Sequence, residues 1–320
     1  MLPAQRTALD ACRWHWSHGP IDIVAEAHGD ADAVATAHEA AWKRFGVLLS
    51  ELVNERALLR QPVGNSVNPF KGPVARAMWA ACVPFSASFI TPMVAVAGAV
   101  AQELIGFYQR AGIERAWINN GGDIALHLAP GHSVRVGLFA DLARFDPRDA
   151  GCIKTDGQFD IVSSLPVRGV ATSGWRGRSF SLGIADSVTV LAATAGQADA
   201  AATVIANAVD VQDAGIHRRP ASECKDDSDL GNILVTVDVE TLAPAQVGQA
   251  MDAGVACAMA LQKAGLIWSA VLVCQGQHRT VEPLYSSAVV PPPVPPRSAH
   301  SAHSASSQGC AEESVGSVFA

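Results

Sequence analysis

The chain has 320 residues, 49% of them apolar and 17% charged, with a formal net charge of -7. So much apolar material supplies a sizeable core and excludes a disordered protein. The acidic balance, with no Lys/Arg cluster, argues against nucleic acid or an anionic membrane surface as partner.

Seven scattered cysteines (12, 82, 152, 224, 257, 274, 310) form no CxxC pair. This reads as reduced thiols in a cytoplasmic protein, neither a disulfide frame nor a zinc site. The N-terminus has no apolar segment of the signal-peptide kind, and the longest apolar run, Met93 to Val100, is far too short to span a bilayer.

Ile21 to Ala25 alternates as a half-buried strand does. His15 and His18, just before it, have a spacing that suits either a metal or ordinary strand packing. Residues 31–60 read as a long helix, capped by Asp30 or Asp32 and burying Trp42, Phe45, Leu48, Leu49 and Leu52. Proline and glycine make 61–90 irregular, either a surface connection or a pocket cover built from Asn68–Phe70 and Val74–Trp79. Thr91 and Pro92 open a further helix, with Gly112 as its stop. Ala95, Gly98, Ala99 and Gln102 share one face of it, open to a packed backbone or to a flat ligand.

Asn119-Asn120-Gly121-Gly122-Asp123 separates two apolar runs. It predicts a tight hairpin, because Asn-Gly supplies the positive φ such a turn needs. The functional alternative is that Gly121 and Gly122 bring backbone N–H groups to a phosphate or flavin edge, with Asp123 near the ligand. Val134 to Leu138 is a strand, and 141–160 a polar loop with a short strand. Ala171-Thr172-Ser173-Gly174 reads as a small-residue turn, Ser187 to Ala192 as a strand, and Gln197-Ala198-Asp199 as the opening of a helix carrying Thr203. Asp199 and Thr203, at i and i+4, share a helix face, and Mg2+ favours such hard oxygens. The plain alternative is that Asp199 complements a positive helix end and Thr203 fills space.

His217 to Asp229 reads as an exposed irregular insertion, Ile233 to Val237 as a strand, Pro244 to Ala264 as a helix ended by Gly265, and Leu266 to Val273 as a buried strand. Residues 1–285 then make one layered α/β (α+β) domain, with mixed sheets flanked by helices. Residues 286–320, rich in Pro, Ser and His, are expected to be a disordered tail without a core.

Three ordered segments carry a resemblance: Pro92 to Ala99, Asn120 to Ile124, and Ala171 to Gly174 running on to Ala198–Thr203. Together they resemble the ApbE superfamily, whose named members are FAD:protein FMN transferases, and most nearly its uncharacterised UPF0280-type branch. The resemblance implies a T-fold-like domain binding FAD with Mg2+. Asp199 and Thr203 would be metal ligands. Asn120, Gly121, Gly122, Asp123, Thr172, Ser173, Gly174 and Arg178 would hold the cofactor. In the transferases a His-bearing segment precedes the VTV strand; here 175–187 reads WRGRSFSLGIADS, with no His. Arg176 and Arg178 suit a phosphate or carboxylate but not base chemistry. Asp186 is the nearest candidate base, with Arg178 as the other catalytic candidate. The expectation is a flavin-binding protein, with FMN transfer, a biosynthetic step on a pterin-type cofactor, or binding alone as the alternatives. A second copy of the chain is a candidate partner.

Overall fold

The computed structural model describes residues 3–64, 67–138, 157–177, 179–225, 228–284 and 316–319. Ile23, Ala25 and Ala27 are each at most 1% exposed, while their neighbours Asp22 and Glu26 are half-buried. That alternation makes Ile21–Gly29 the strand β3, which pairs with β2 (Arg13–His18), itself joined to β1 (Gln5–Ala8). On its other side β3 pairs with β4 (Ile113–Asn120), and β4 with β5 (Asp123–Leu128). The sheet continues through β8 (Gly169–Ser173), β9 (Ser187–Ala192), β12 (Ser269–Cys274) and β13 (Gln277–Val281). All nine strands are antiparallel to their neighbours.

Helices cover one face. α1 (Ala31–Leu59) is capped by Asp30, whose carboxylate accepts the Ala33 N–H, and buries Phe45, Leu48, Leu49 and Leu52. With α2 (Pro73–Cys82) and α3 (Val96–Ile105) it packs on the β2–β5 half of the sheet. α4 (Ala195–Ala208) and α6 (Pro244–Lys263) cover the β8, β9 and β12 half. The opposite face of β4 and β5 presents Trp117, Ile124 and Leu126 to β6 (Ser133–Leu138) and β7 (Gly157–Val162). β6 and β7 form a small mixed sheet with β14 (Gly316–Phe319), so these four residues, expected to be disordered, are instead ordered by backbone pairing with β6.

Several elements differ from the sequence reading. Pro73 starts a helix within 61–90, because its missing N–H is harmless in a first turn. The helix from Thr91 is a 3-10 turn, Pro92–Ala95, followed by α3, which ends at Ile105 well before Gly112. Thr91 does not cap it: its hydroxyl donates to Asp229 at 2.5 Å. Ala171–Ser173 is strand, where small residues let α4 lie close. His217–Asp229 holds β10 (Ile216–Pro220) and the short α5 (Ala221–Cys224), with β10 paired to β11 (Leu234–Val239). β13 arises from a tight hairpin whose turn residue Gln275 takes a φ of 44°.

His15 pairs with Asp22 at 2.8 Å and His18 packs on Phe45, so both serve the strand. His38 of α1 is buried among Trp14, Trp16 and Tyr108, with Nδ1 2.8 Å from the Tyr108 hydroxyl. Burial pushes its imidazolium down from 6.5 to about 4. Between these values the unfolded chain binds a proton that the folded chain refuses. Stability from this group is therefore complete above pH 6.5 and is lost as pH falls towards 4. Urea unfolding of the wild type is expected to weaken by about 2 kcal/mol more than that of His38→Gln between pH 7 and 4.5. An equal fall in both proteins would contradict this.

Candidate functional site

The sequence-derived candidates converge where α3, α4, β5 and β8 meet. Gly98 is the close contact: a Cβ there would lie 2.4 Å from the Ala195 carbonyl oxygen and 2.9 Å from Asp199 Cβ. The small face Ala95, Gly98, Ala99, Gln102 is thus covered by α4, and Gln102 Oε1 accepts the Gly196 N–H at 3.2 Å. Close backbone packing accounts for the small residues.

That approach delivers Asp199 to the N-terminus of α3. Its Oδ2 accepts the Gly98 N–H at 2.9 Å, and the Ala97 N–H also stabilises the charge. Both amides lie in the first turn of α3. Asn120 Nδ2 donates to the Ala97 carbonyl at 3.1 Å, so the hairpin grips the same helix end.

Gly121 and Gly122 take φ values of 68° and 108°, as the tight β4–β5 turn requires. The Gly122 N–H is bound by Asn119 Oδ1 at 2.8 Å. At least that amide is committed to the turn. The turn places Asp123 at the start of β5, buried, with Oδ1 accepting the Thr172 N–H at 3.3 Å.

Asp123 and Asp199 therefore form a buried carboxyl pair, although they come from distant parts of the chain. Desolvation raises Asp199 from 3.8 to about 7 against the pull of the Gly98 and Ala97 amides. Burial first, and the charge of Asp199 second, raise Asp123 well above the usual carboxylate range. Neighbouring carboxyls in a low-dielectric site resist double ionisation, so the pair titrates together. No Lys, Arg or His forms an ion pair with either among the described residues.

Hydroxyls line the adjoining strand ends. Thr172 Oγ1 lies 2.8 Å from Thr189 Oγ1, and the Thr203 hydroxyl donates to Ser173 Oγ at 3.4 Å. Asp199 and Thr203 thus reach different partners, one α3 and the other β8. Gly174 is fixed by crowding, since a Cβ would meet the Asp186 carbonyl oxygen at 2.3 Å. Asp186 accepts from the Gln275 N–H at 2.5 Å and from Trp175 Nε1 at 3.3 Å, with Arg176 Nε at 3.6 Å. It ties the β8–β9 connection to the β12–β13 turn. Arg178 lies outside the described residues.

Two participants escaped the sequence reading. The Ala97–Gly98 amides become donors only once α4 approaches. Cys82 is buried near Asp199, and desolvation, with that negative charge second, raises its thiol well above the ordinary range. It stays a thiol. No cluster of three His, Cys, Asp or Glu suited to a metal occurs among the described residues. The two carboxyls and the hydroxyls on the adjoining strand ends nonetheless offer oxygen donors. That set fits Mg2+, which usually takes one or two carboxylates and completes its shell with water and phosphate.

Comparison with known proteins gives one family: the model described as AbpE bacteria matches residues 4–280. A UPF0280 protein of Methanospirillum hungatei is 34% identical over 178 residues, 52% of this chain and 66% of that protein. Another, of Methanosphaerula palustris, is 38% identical over 121 residues, 38% of this chain and 47% of that protein. The alignments thus span less than two thirds of these relatives. The solved ApbE protein of Thermotoga maritima aligns over 86% of this chain and 96% of its own, with 12% identity and a TM-score of 0.46. Among the described residues no helix is long and apolar enough to cross a membrane.

Proposed function

We propose, for a chain that belongs to the AbpE bacteria family, that the Asp123–Asp199 pair holds a Mg2+ ion and, with it, the phosphates of a flavin nucleotide such as FAD. The observation that carries this reading is the buried pair itself. Two desolvated carboxyls with no cationic side chain paired to them among the described residues form an unfavourable arrangement that a divalent cation relieves. The resemblance to the ApbE superfamily supports the choice of flavin. Bound there, Mg2+ would neutralise the pair and polarise a phosphate oxygen. The chain's own contribution is to hold Asp199 against the α3 amides and Asp123 against the Thr172 amide, with Ser173 and Thr203 supplying hydroxyls nearby.

Binding without transfer is favoured by one specific feature. Asp186, the candidate base, is engaged by the Gln275 amide, the Trp175 indole and Arg176. FAD titrated into the protein with Mg2+ is expected to quench its fluorescence with an affinity at least tenfold higher than in EDTA. Equal binding in both would overturn the reading. AMP release from FAD with an acceptor protein present would restore the transferase alternative.

A further inference from the structure

We infer that Asp229, on the arm formed by β10 and β11, is a positioning residue for Asp199: through Thr91 it fixes the turn that carries the Ala97 and Gly98 amides to that carboxylate. Its consequence for Mg2+ rests on the proposed cation site. Thr91 is 1% exposed and is held from two directions. Its carbonyl accepts the Cys82 thiol at 3.4 Å and the Val94 N–H at 3.2 Å, while its hydroxyl donates to Asp229 Oδ2 at 2.5 Å. The 3-10 turn Pro92–Ala95 begins at the next residue and runs straight into α3, whose first turn holds Ala97 and Gly98. So short a 3-10 turn is weak by itself and takes its place from what holds its ends.

Asp229 can serve as a fixed point because its surroundings are tied down. At the tip of the arm the Ser222 N–H reaches the Gly231 carbonyl at 2.8 Å, the Ala221 N–H the Ile233 carbonyl at 3.0 Å, and the Leu230 N–H Ser228 Oγ at 3.2 Å. At its base Thr236 N–H donates to the Ser181 carbonyl at 2.9 Å, and Arg218 pairs with Asp210. The Thr91–Asp229 hydrogen bond therefore joins an anchored arm to the entry of α3, across 138 residues of sequence. Without the carboxylate, the buried Thr91 hydroxyl loses its acceptor. An unpaired buried donor costs free energy, which the chain recovers by turning Thr91 outward. The 3-10 turn then shifts and draws the Gly98 N–H away from Asp199, whose helix α4 stays packed on the sheet. Groups that hold a ligand in place from behind in this way count for metal affinity although they never touch the ion.

The test uses the full chain with Asp229→Ala, Asp229→Asn and, as a control on the same arm, Glu223→Gln, which breaks only an exposed ion pair with Arg219. Asp229 lies outside the three hydrophobic cores, so its replacement leaves them intact. Asparagine keeps an acceptor oxygen for Thr91 but no charge, which separates positioning from attraction of the cation by a distant carboxylate. The amide proton resonance of Gly98 is expected to move upfield in Asp229→Ala, as a lengthened hydrogen bond requires, and to stay in place in Asp229→Asn and Glu223→Gln. Mg2+ affinity is expected to fall about tenfold in Asp229→Ala and to recover most of that loss in Asp229→Asn. An unmoved Gly98 resonance in Asp229→Ala, or Asp229→Asn losing as much affinity as Asp229→Ala, would overturn the inference. If the unchanged chain binds no Mg2+, the cation reading falls and the Gly98 resonance alone decides the positioning role: a shift in Asp229→Ala restored in Asp229→Asn supports it, and no shift overturns it.

Discussion

Replacing Gly98 by alanine is expected to lower stability by about 3 kcal/mol, although alanine is by about 1 kcal/mol the better helix former. The sign is decided by space. The new Cβ would sit 2.4 Å from the Ala195 carbonyl oxygen, so α3 and α4 must separate. Separation also lengthens the Gly98 N–H to Asp199 hydrogen bond and unseats the carboxylate from the helix end. Urea unfolding measures the effect, and a variant as stable as the wild type would mean that α3 and α4 do not approach this closely. Gly106, in the 3-10 turn Gly106–Tyr108, is the control: a Cβ there meets nothing within 4 Å. Gly106→Ala is expected to change stability far less.

The second large effect has the opposite sign. Asp199→Asn is expected to stabilise the protein by about 2 kcal/mol at pH 8 in EDTA. The amide oxygen can still accept the α3 amides, while the charge is removed and an NH2 group becomes available to Asp123. The folded carboxyl titrates at about 7 against an ordinary 3.8, so the folded chain holds a proton that the unfolded chain has released between those values. Stability therefore falls as pH rises through this window. Asp199→Asn is expected to lose that fall, leaving the rise contributed by His38 more visible. Asp199→Ala, which gives up the helix-end contacts, is expected to be less stable than Asp199→Asn by about 1 kcal/mol. A destabilised Asp199→Asn would contradict the buried-charge argument. Stabilisation with loss of Mg2+ response is the trade expected of a residue kept for function.

Local chemistry made much of this region legible in the sequence. The Gly121-Gly122 turn was readable because it needs positive φ, and the Ser187–Ala192 strand because it is a short apolar run rich in β-branched residues. The helix bearing Asp199 and Thr203 was readable from its composition. The pairing of Asp123 with Asp199 was not, because it depends on the register of β5 with β8 and on the packing of α3 against α4. The same limit applies to Asp186, whose amide partner Gln275 is 89 residues away. The helix Pro73–Cys82 was hidden by its own Pro and Gly, which read as breakers but act as its first turn and cap. The small face of α3 was visible in the sequence; which of its two possible occupants covers it was decided by Gly98, whose missing Cβ makes room for α4.

The most direct measurement of the central claim is a calorimetric titration of Mg2+ at pH 8, free of flavin, into the wild type and into Asp123→Asn and Asp199→Asn. The wild type is expected to bind one ion per chain and to release protons on binding at pH 7, and both variants are expected to lose this binding at least tenfold. Binding of equal strength in all three proteins, or none in the wild type, would contradict the assignment of the buried carboxyl pair as a cation site.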